Sequence, residues 1–153
     1  MSFFGALCLL CISLALVDLR QGIIPDALNL AVAGLGLAKT AVEGGATAGL
    51  VAITGLIAVA AVFWLFRLFY FTLRKAQGLG LGDVKFLAAA TPWVGITGIP
   101  ALLLVAALTA LLVIGSMQLS GHRMTRQSSL PFGPFLALGL LSTLAAQQWF
   151  GLI

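Results

Sequence analysis

Four residues of this 153-residue chain are acidic: Asp18, Asp26, Glu43 and Asp83. In a chain this apolar, each ionisable group needs a reason to be where it is. Asp18 closes one long apolar run. Asp83 opens another, directly after Gly78-Leu79-Gly80-Leu81-Gly82. Two carboxylates brought together at a partly dehydrated boundary cannot both ionise easily. They share a proton, so one member can act as base while the other acts as acid, which is the chemistry that activates water against a peptide bond. Other roles stay open at this level. Asp83, following glycine, can cap the helix that begins there, and Asp18 can anchor an interface by pairing with Arg20 or Lys85. Asp26, between Pro25 and an apolar run, reads as an N-cap, and Glu43 near Lys39 reads as an interface residue.

The remaining chemistry-bearing types offer less. Cys8 and Cys11 form a CxxC, but inside an apolar run and without a second pair or a nearby histidine, so they read as small packing hydrophobes on one helix face. The glycine run lacks GxxxxGK[ST] and a βαβ setting, so it is not a phosphate loop. Its use is a side-chain-free segment that lets an extended substrate approach Asp83. His122 with Ser128 and Ser129 lacks the glycine pattern of a nucleophile elbow. Too few ligands exist for zinc, so neither metal nor cofactor is expected. Eight scattered Lys and Arg residues do not suggest nucleic-acid binding.

The elements that must position these acids follow from composition. Hydrophobic residues make up 61% of the chain and charged ones 8%, and the mean hydropathy is +1.17. Soluble domains are about 25% charged, so a soluble enzyme, a disordered chain and a disulfide-stapled module are excluded. The expected fold is all-α: one polytopic membrane domain over residues 1–153 with six transmembrane helices. The expected spans run from Ser2 to about Val17, Ala27 to about Val42, from after Gly44-Gly45 to about Leu73, Asp83 to about Gly98, Ile99 to Leu119, and from Pro131 almost to Ile153. The first and fourth are short for a bilayer, which predicts burial among longer neighbours or local thinning. Gly45 and Gly49, spaced as GxxxG, suggest close helix packing.

Orientation follows from the basic residues. Arg20, Arg67, Arg74, Lys75, Lys85, Arg123 and Arg126 fall on one side of a six-span alternation and Lys39 on the other. The first side should be cytosolic, which puts both termini outside and Asp18 and Asp83 together at the cytosolic face. The aromatic run from Phe63 to Phe71 would form the belt at that interface, and Trp149-Phe150 would mark the opposite one. The N-terminal run has neither a basic n-region nor a small-residue cleavage site, so it reads as a retained span.

Three segments together resemble the A24 family of type IV prepilin leader peptidases, which are GxGD intramembrane aspartic proteases. Asp18 to Asn29 is similar to the family's aspartate followed by [IL]-P-[DN]-x-L, carried here by Ile24-Pro25-Asp26-Ala27-Leu28. Gly78 to Ala89 holds GxGD and the following xK as Gly80-Leu81-Gly82-Asp83-Val84-Lys85. Leu130 to Gly139 is similar to the PFGP-type last helix through Pro131-Phe132-Gly133-Pro134.

The resemblance implies that Asp18 and Asp83 are the catalytic pair with one water between them. It implies loop or substrate support from Gly80, Gly82, Lys85 and Pro25. It also implies a substrate: the positively charged leader of a prepilin or pseudopilin, cut after a glycine at the cytosolic face of the bacterial inner membrane, just before the apolar helix. Longer family members carry a cytosolic insert with two zinc-binding CxxC pairs and also methylate the new N-terminus. This chain resembles the short form, as in Flp/Tad-type systems and archaeal preflagellin peptidases, for which peptidase activity without methyl transfer is expected. The partners implied are prepilin and membrane lipid. A reading from another class, a small transporter or channel subunit using the acids as a proton relay, would favour acids at the bilayer midplane.

Overall fold

The computed structural model describes residues 2–74, 80–119 and 131–150. Regular structure among them is entirely helical: α1 (Ser2–Gln21), α2 (Asp26–Arg74), α3 (Leu81–Leu119) and α4 (Gly133–Phe150). Three stretches are long and apolar enough to cross a membrane: Phe3–Gln21, Asp26–Leu73 and Leu81–Leu119. In hydrocarbon a helix is the one open-chain structure that satisfies its own backbone. The outward faces fit such a setting, with Leu30, Val42, Val51, Phe66, Leu111 and Leu112 all exposed.

The 49 residues of α2, run straight, would reach about 70 Å, roughly twice the hydrocarbon thickness. They do not run straight. Gly45 takes φ 74° and ψ −174°, a region essentially restricted to glycine. Beyond it, Gly49 lies against Ala41, within 4 Å of where a Cβ would sit; in a continuous helix the two would be about 12 Å apart. α2 is therefore a hairpin of two arms, 26–44 and 46–74. Gly95 breaks α3 in the same way, with φ 70° and ψ 170°.

The direction of each arm of α3 can be read from α4. Val94 and Gly98 meet Gln147, near the end of α4, while Leu102 and Ala106 meet Gly139, nearer its start. The arm 96–119 thus returns towards the end from which 81–94 set out. Among the described residues the helical segments number six and alternate in direction. The end of α1 and the starts of α2, α3 and α4 lie at one end of the bundle, and the turns at Gly45 and Gly95 at the other.

Several boundaries differ from the sequence expectation. α1 continues past Val17 to Gln21, so Asp18 sits in its last turn. The break in α3 falls at Gly95 instead of at Gly98-Ile99. Gly98 stays helical because its missing side chain admits Val94 and Gln147, which a Cβ would meet at 2.7 and 3.1 Å. Gly45 is a turn with open space around it, not a packing glycine; Gly49 does pack, on Ala41.

The short arm 81–94, about 20 Å long, is buried without interruption from Phe86 to Val94. Protein surrounds it, so its length need not match a bilayer. Leu7, Cys11 and Leu14 of α1, Leu136, Leu140 and Leu144 of α4, and Phe86, Leu87 and Ala90 of α3 belong to one core, in which Cys11 packs as a free thiol. Trp93 Nε1 donates to the Val32 carbonyl at 2.9 Å, and Gly36 makes room for the indole. Gln147 Nε2 donates to the Val94 carbonyl at 3.0 Å, next to the break at Gly95. α1 packs on α2 and α4, and α3 packs on the same two helices.

Candidate active site

Asp18 is fixed from both sides of its helix turn. Gly22, with φ +64°, ends α1 in the left-handed conformation usual after a helix, and its N–H donates to the Asp18 carbonyl at 2.7 Å. The Asp18 side chain points inward and is only 4% exposed. The N–H of Gly133, the first residue of α4, donates to its Oδ2 at 2.7 Å.

The start of α4 explains why Asp18 is the acceptor. Phe135 and Leu136 both donate to the Phe132 carbonyl, and Pro134 has no N–H. Gly133 alone among these first residues still has a donor to give. A carboxylate placed there also meets the positive end of the helix dipole. The fit is tight: a Cβ on Gly133 would lie 2.6 Å from Asp18 Oδ2.

Asp83 stands in the first turn of α3. Gly80 precedes that helix, and its carbonyl accepts from the Val84 N–H at 3.3 Å. The Asp83 carboxylate reaches back to the Gly80 backbone N–H, the arrangement of an acidic residue at the third helical position. A Cβ on Gly80 would lie 2.9 Å from Asp83 Oδ2, and one on Gly82 would lie 3.2 Å from the Ile24 side chain. Gly82 therefore seats the α1–α2 loop against the start of α3. Pro25 completes that loop, its carbonyl accepting from Leu28 and Asn29 at the start of α2.

The outcome is that Asp18 and Asp83, far apart in sequence, lie at one end of the bundle, close enough for each charge to act on the other. α4 supplies the contact that holds Asp18 there. Two carboxyls in a partly dehydrated setting can share a proton and act as an acid–base pair. Among the described residues, no three His, Cys, Asp or Glu side chains gather in a way that could hold a metal.

The other two acids form ion pairs, and Asp26 is placed differently from the sequence expectation. Asp26 is the first residue of α2, and its carboxylate does not cap that helix. Its Oδ1 accepts from Lys85 Nζ at 2.6 Å. The pair is solvent-facing, with the lysine side chain 41% and the aspartate 66% exposed. Lys85 thus meets Asp26, and Asp18 pairs with neither Lys85 nor Arg20. This pair links two quoted segments, but nothing in local spacing indicated it. Glu43 pairs with Lys39 at 3.0 Å, four residues apart on one helix face near the opposite end. His122, Ser128, Ser129, Lys75, Arg123 and Arg126 lie outside the described residues. Gly133 was visible within Pro131-Phe132-Gly133-Pro134, but its contact with Asp18 spans 115 positions and had no local signature.

Comparison with known proteins gives a consistent picture. The model of the type IV leader peptidase family matches residues 5–115. The prepilin leader peptidase/N-methyltransferase of Burkholderia pseudomallei (strain 1026b) is 35% identical over 151 residues, covering 92% of this chain and 45% of that protein. The protein of the same name from Xanthomonas campestris pv. campestris is 35% identical over 147 residues, covering 88% of this chain and 47% of its own length. That of Escherichia coli (strain K12) is 34% identical over 143 residues, covering 90% and 60%. The chain spans roughly half the length of these relatives. No solved structure matches.

Proposed function

The chain belongs to the type IV leader peptidase family, and from that premise we propose that it is an intramembrane aspartic endopeptidase that removes the leader of a type IV prepilin or pseudopilin. The observation that carries the proposal is the placing of Asp18 and Asp83 within electrostatic range at one end of an apolar helical bundle, with Asp18 held by the Gly133 N–H.

In the proposed reaction the pair holds one proton and one water. The ionised carboxylate takes a proton from the water as its oxygen attacks the scissile carbonyl carbon, while the protonated carboxyl gives its proton to the carbonyl oxygen. Collapse of the tetrahedral intermediate breaks the C–N bond. The leaving amine takes the proton that the first carboxylate received, and the gem-diol returns the other, so the pair is restored. The proposal covers peptide-bond hydrolysis and not methyl transfer.

The six helical segments are proposed as six spans of the bacterial inner membrane, with the dyad end cytosolic and both termini outside. The described charges support this orientation: Arg20, Arg67 and Lys85 lie towards the dyad end, and Lys39 with Glu43 lies towards the other. The leader is proposed to be basic and to be cut after a glycine, immediately before an apolar helix, in a pilus or Flp/Tad-type assembly. The test is to incubate the detergent-purified protein with a synthetic peptide of that design and to read the products by mass spectrometry. A single cut after the glycine is expected. An uncut peptide, or a cut that persists in Asp83→Asn, contradicts the proposal.

A further inference from the structure

A groove with a cavity volume of about 820 Å³ runs between the two arms of α2 and the first arm of α3. Gly34, Ala60 and Trp64 of α2 line it on one side, and Leu81, Val84 and Ala88 of α3 on the other. One end of it lies at the first turn of α3, the turn that carries Asp83: Leu81, Val84 and Lys85 line it there. Its wall is largely apolar: the Asp26–Lys85 ion pair stands at its edge, and Asn29 also lines it. Asn29 is 5% exposed, and neither its carboxamide oxygen nor its nitrogen meets a hydrogen-bond partner among the described residues. Thr143 and Gln147 also carry a buried polar atom without a partner. Both lie on α4 away from its dyad end, and Gln147 still uses its nitrogen.

A buried carboxamide with no partner is destabilising, and a leucine, with the same branching and no polar atoms, would leave no donor or acceptor unpaired there. Its presence beside a peptide-cleaving dyad has a physical use. A helical peptide bond is shielded by its own hydrogen bonds, so the segment around a scissile bond must unwind. In an apolar groove the freed backbone N–H and C=O groups then need partners. A carboxamide offers both a donor and an acceptor, and Asn29 is among the residues that line the groove.

Building on the peptidase reading, we propose that this groove receives the apolar helix of the substrate and that Asn29 binds the unwound backbone next to the scissile bond. The occupant is identified by chemistry: a wall that is apolar apart from the mutually paired Asp26 and Lys85 suits a hydrophobic helix, and Asn29 supplies the polar handle that a strained backbone requires. Lipid acyl chains would suit the wall equally but would give the carboxamide nothing to bond.

The test measures kcat and KM for a synthetic peptide holding a short basic segment, a glycine and an apolar helix, in detergent micelles. Two variants are compared with the unaltered chain. Asn29→Leu removes the carboxamide while keeping the branched shape. Gly34→Leu fills the groove at a position with open space around it. KM is expected to rise about tenfold in each, with kcat within about twofold, while Asn29→Leu melts at a higher temperature. A purely structural asparagine would give higher stability and unchanged KM. If the unaltered chain cuts the peptide and both variants match its KM, the groove holds lipid only and this assignment is overturned while the dyad stands. If the unaltered chain does not cut, both readings fall.

Discussion

At the scale of single residues, Gly133 is the clearest case of a position defined by what it lacks. Its N–H holds Asp18, and any side chain would meet the carboxylate at 2.6 Å. If Asp18 serves in the proposed dyad, Gly133→Ala is expected to lower kcat for peptide cleavage by about 100-fold, since displacing a catalytic group by about 1 Å costs that much, with KM little changed. Gly115→Ala, in open space on α3, is expected to match the unaltered chain. Steady-state kinetics on the two variants checks both. Asp26→Asn breaks a solvent-facing pair worth about 0–1 kcal/mol, so it should keep most of its cleavage and melt within a few degrees. Equal loss in Asp26→Asn and Asp18→Asn would mean that the wrong acid of the first loop has been assigned. Both aspartates of the proposed dyad stand out in the sequence because each is an acid at the edge of an apolar run. Their supports, Gly133 for Asp18 and Ile24 beneath Gly82, were not, because contacts between distant segments leave no local pattern.

At the scale of elements, two glycines convert two long helices into hairpins. Gly45 and Gly95 share nearly the same backbone angles, in a region that costs other residues about 1–3 kcal/mol. Gly45→Ala and Gly95→Ala should each lower stability by about that amount, whereas Gly34→Ala, within a helix and with open space, should raise it by up to about 1 kcal/mol. Thermal unfolding in one detergent ranks the three. The turn at Gly45 coincides with a boundary visible in the sequence as Gly44-Gly45. The turn at Gly95 does not, because Gly95 and Gly98 flank Ile96-Thr97 and both interrupt an apolar run. Only packing distinguishes them: Gly98 must remain helical to admit Val94 and Gln147. The expected burial of the short fourth segment is what the structure shows for 81–94.

For the whole molecule, composition alone indicated a helical membrane protein, because a chain with so few charged residues cannot cover a water-facing surface. What composition left open was which ends of the segments converge, and that depends on the alternation imposed by the two glycine turns. The proposed orientation can be checked with single cysteines introduced after replacing Cys8 and Cys11. A membrane-impermeant thiol reagent added to intact cells should label Lys39→Cys, and it should label Arg20→Cys only after permeabilisation; the reverse pattern would contradict both termini being outside. The central claim is the dyad, and its most direct test is cleavage of the basic-leader, glycine, apolar-helix peptide by the unaltered chain, Asp18→Asn and Asp83→Asn, each shown folded by its melting transition. The account predicts cutting after the glycine by the unaltered chain and none by either variant. Normal processing by either folded variant would contradict it.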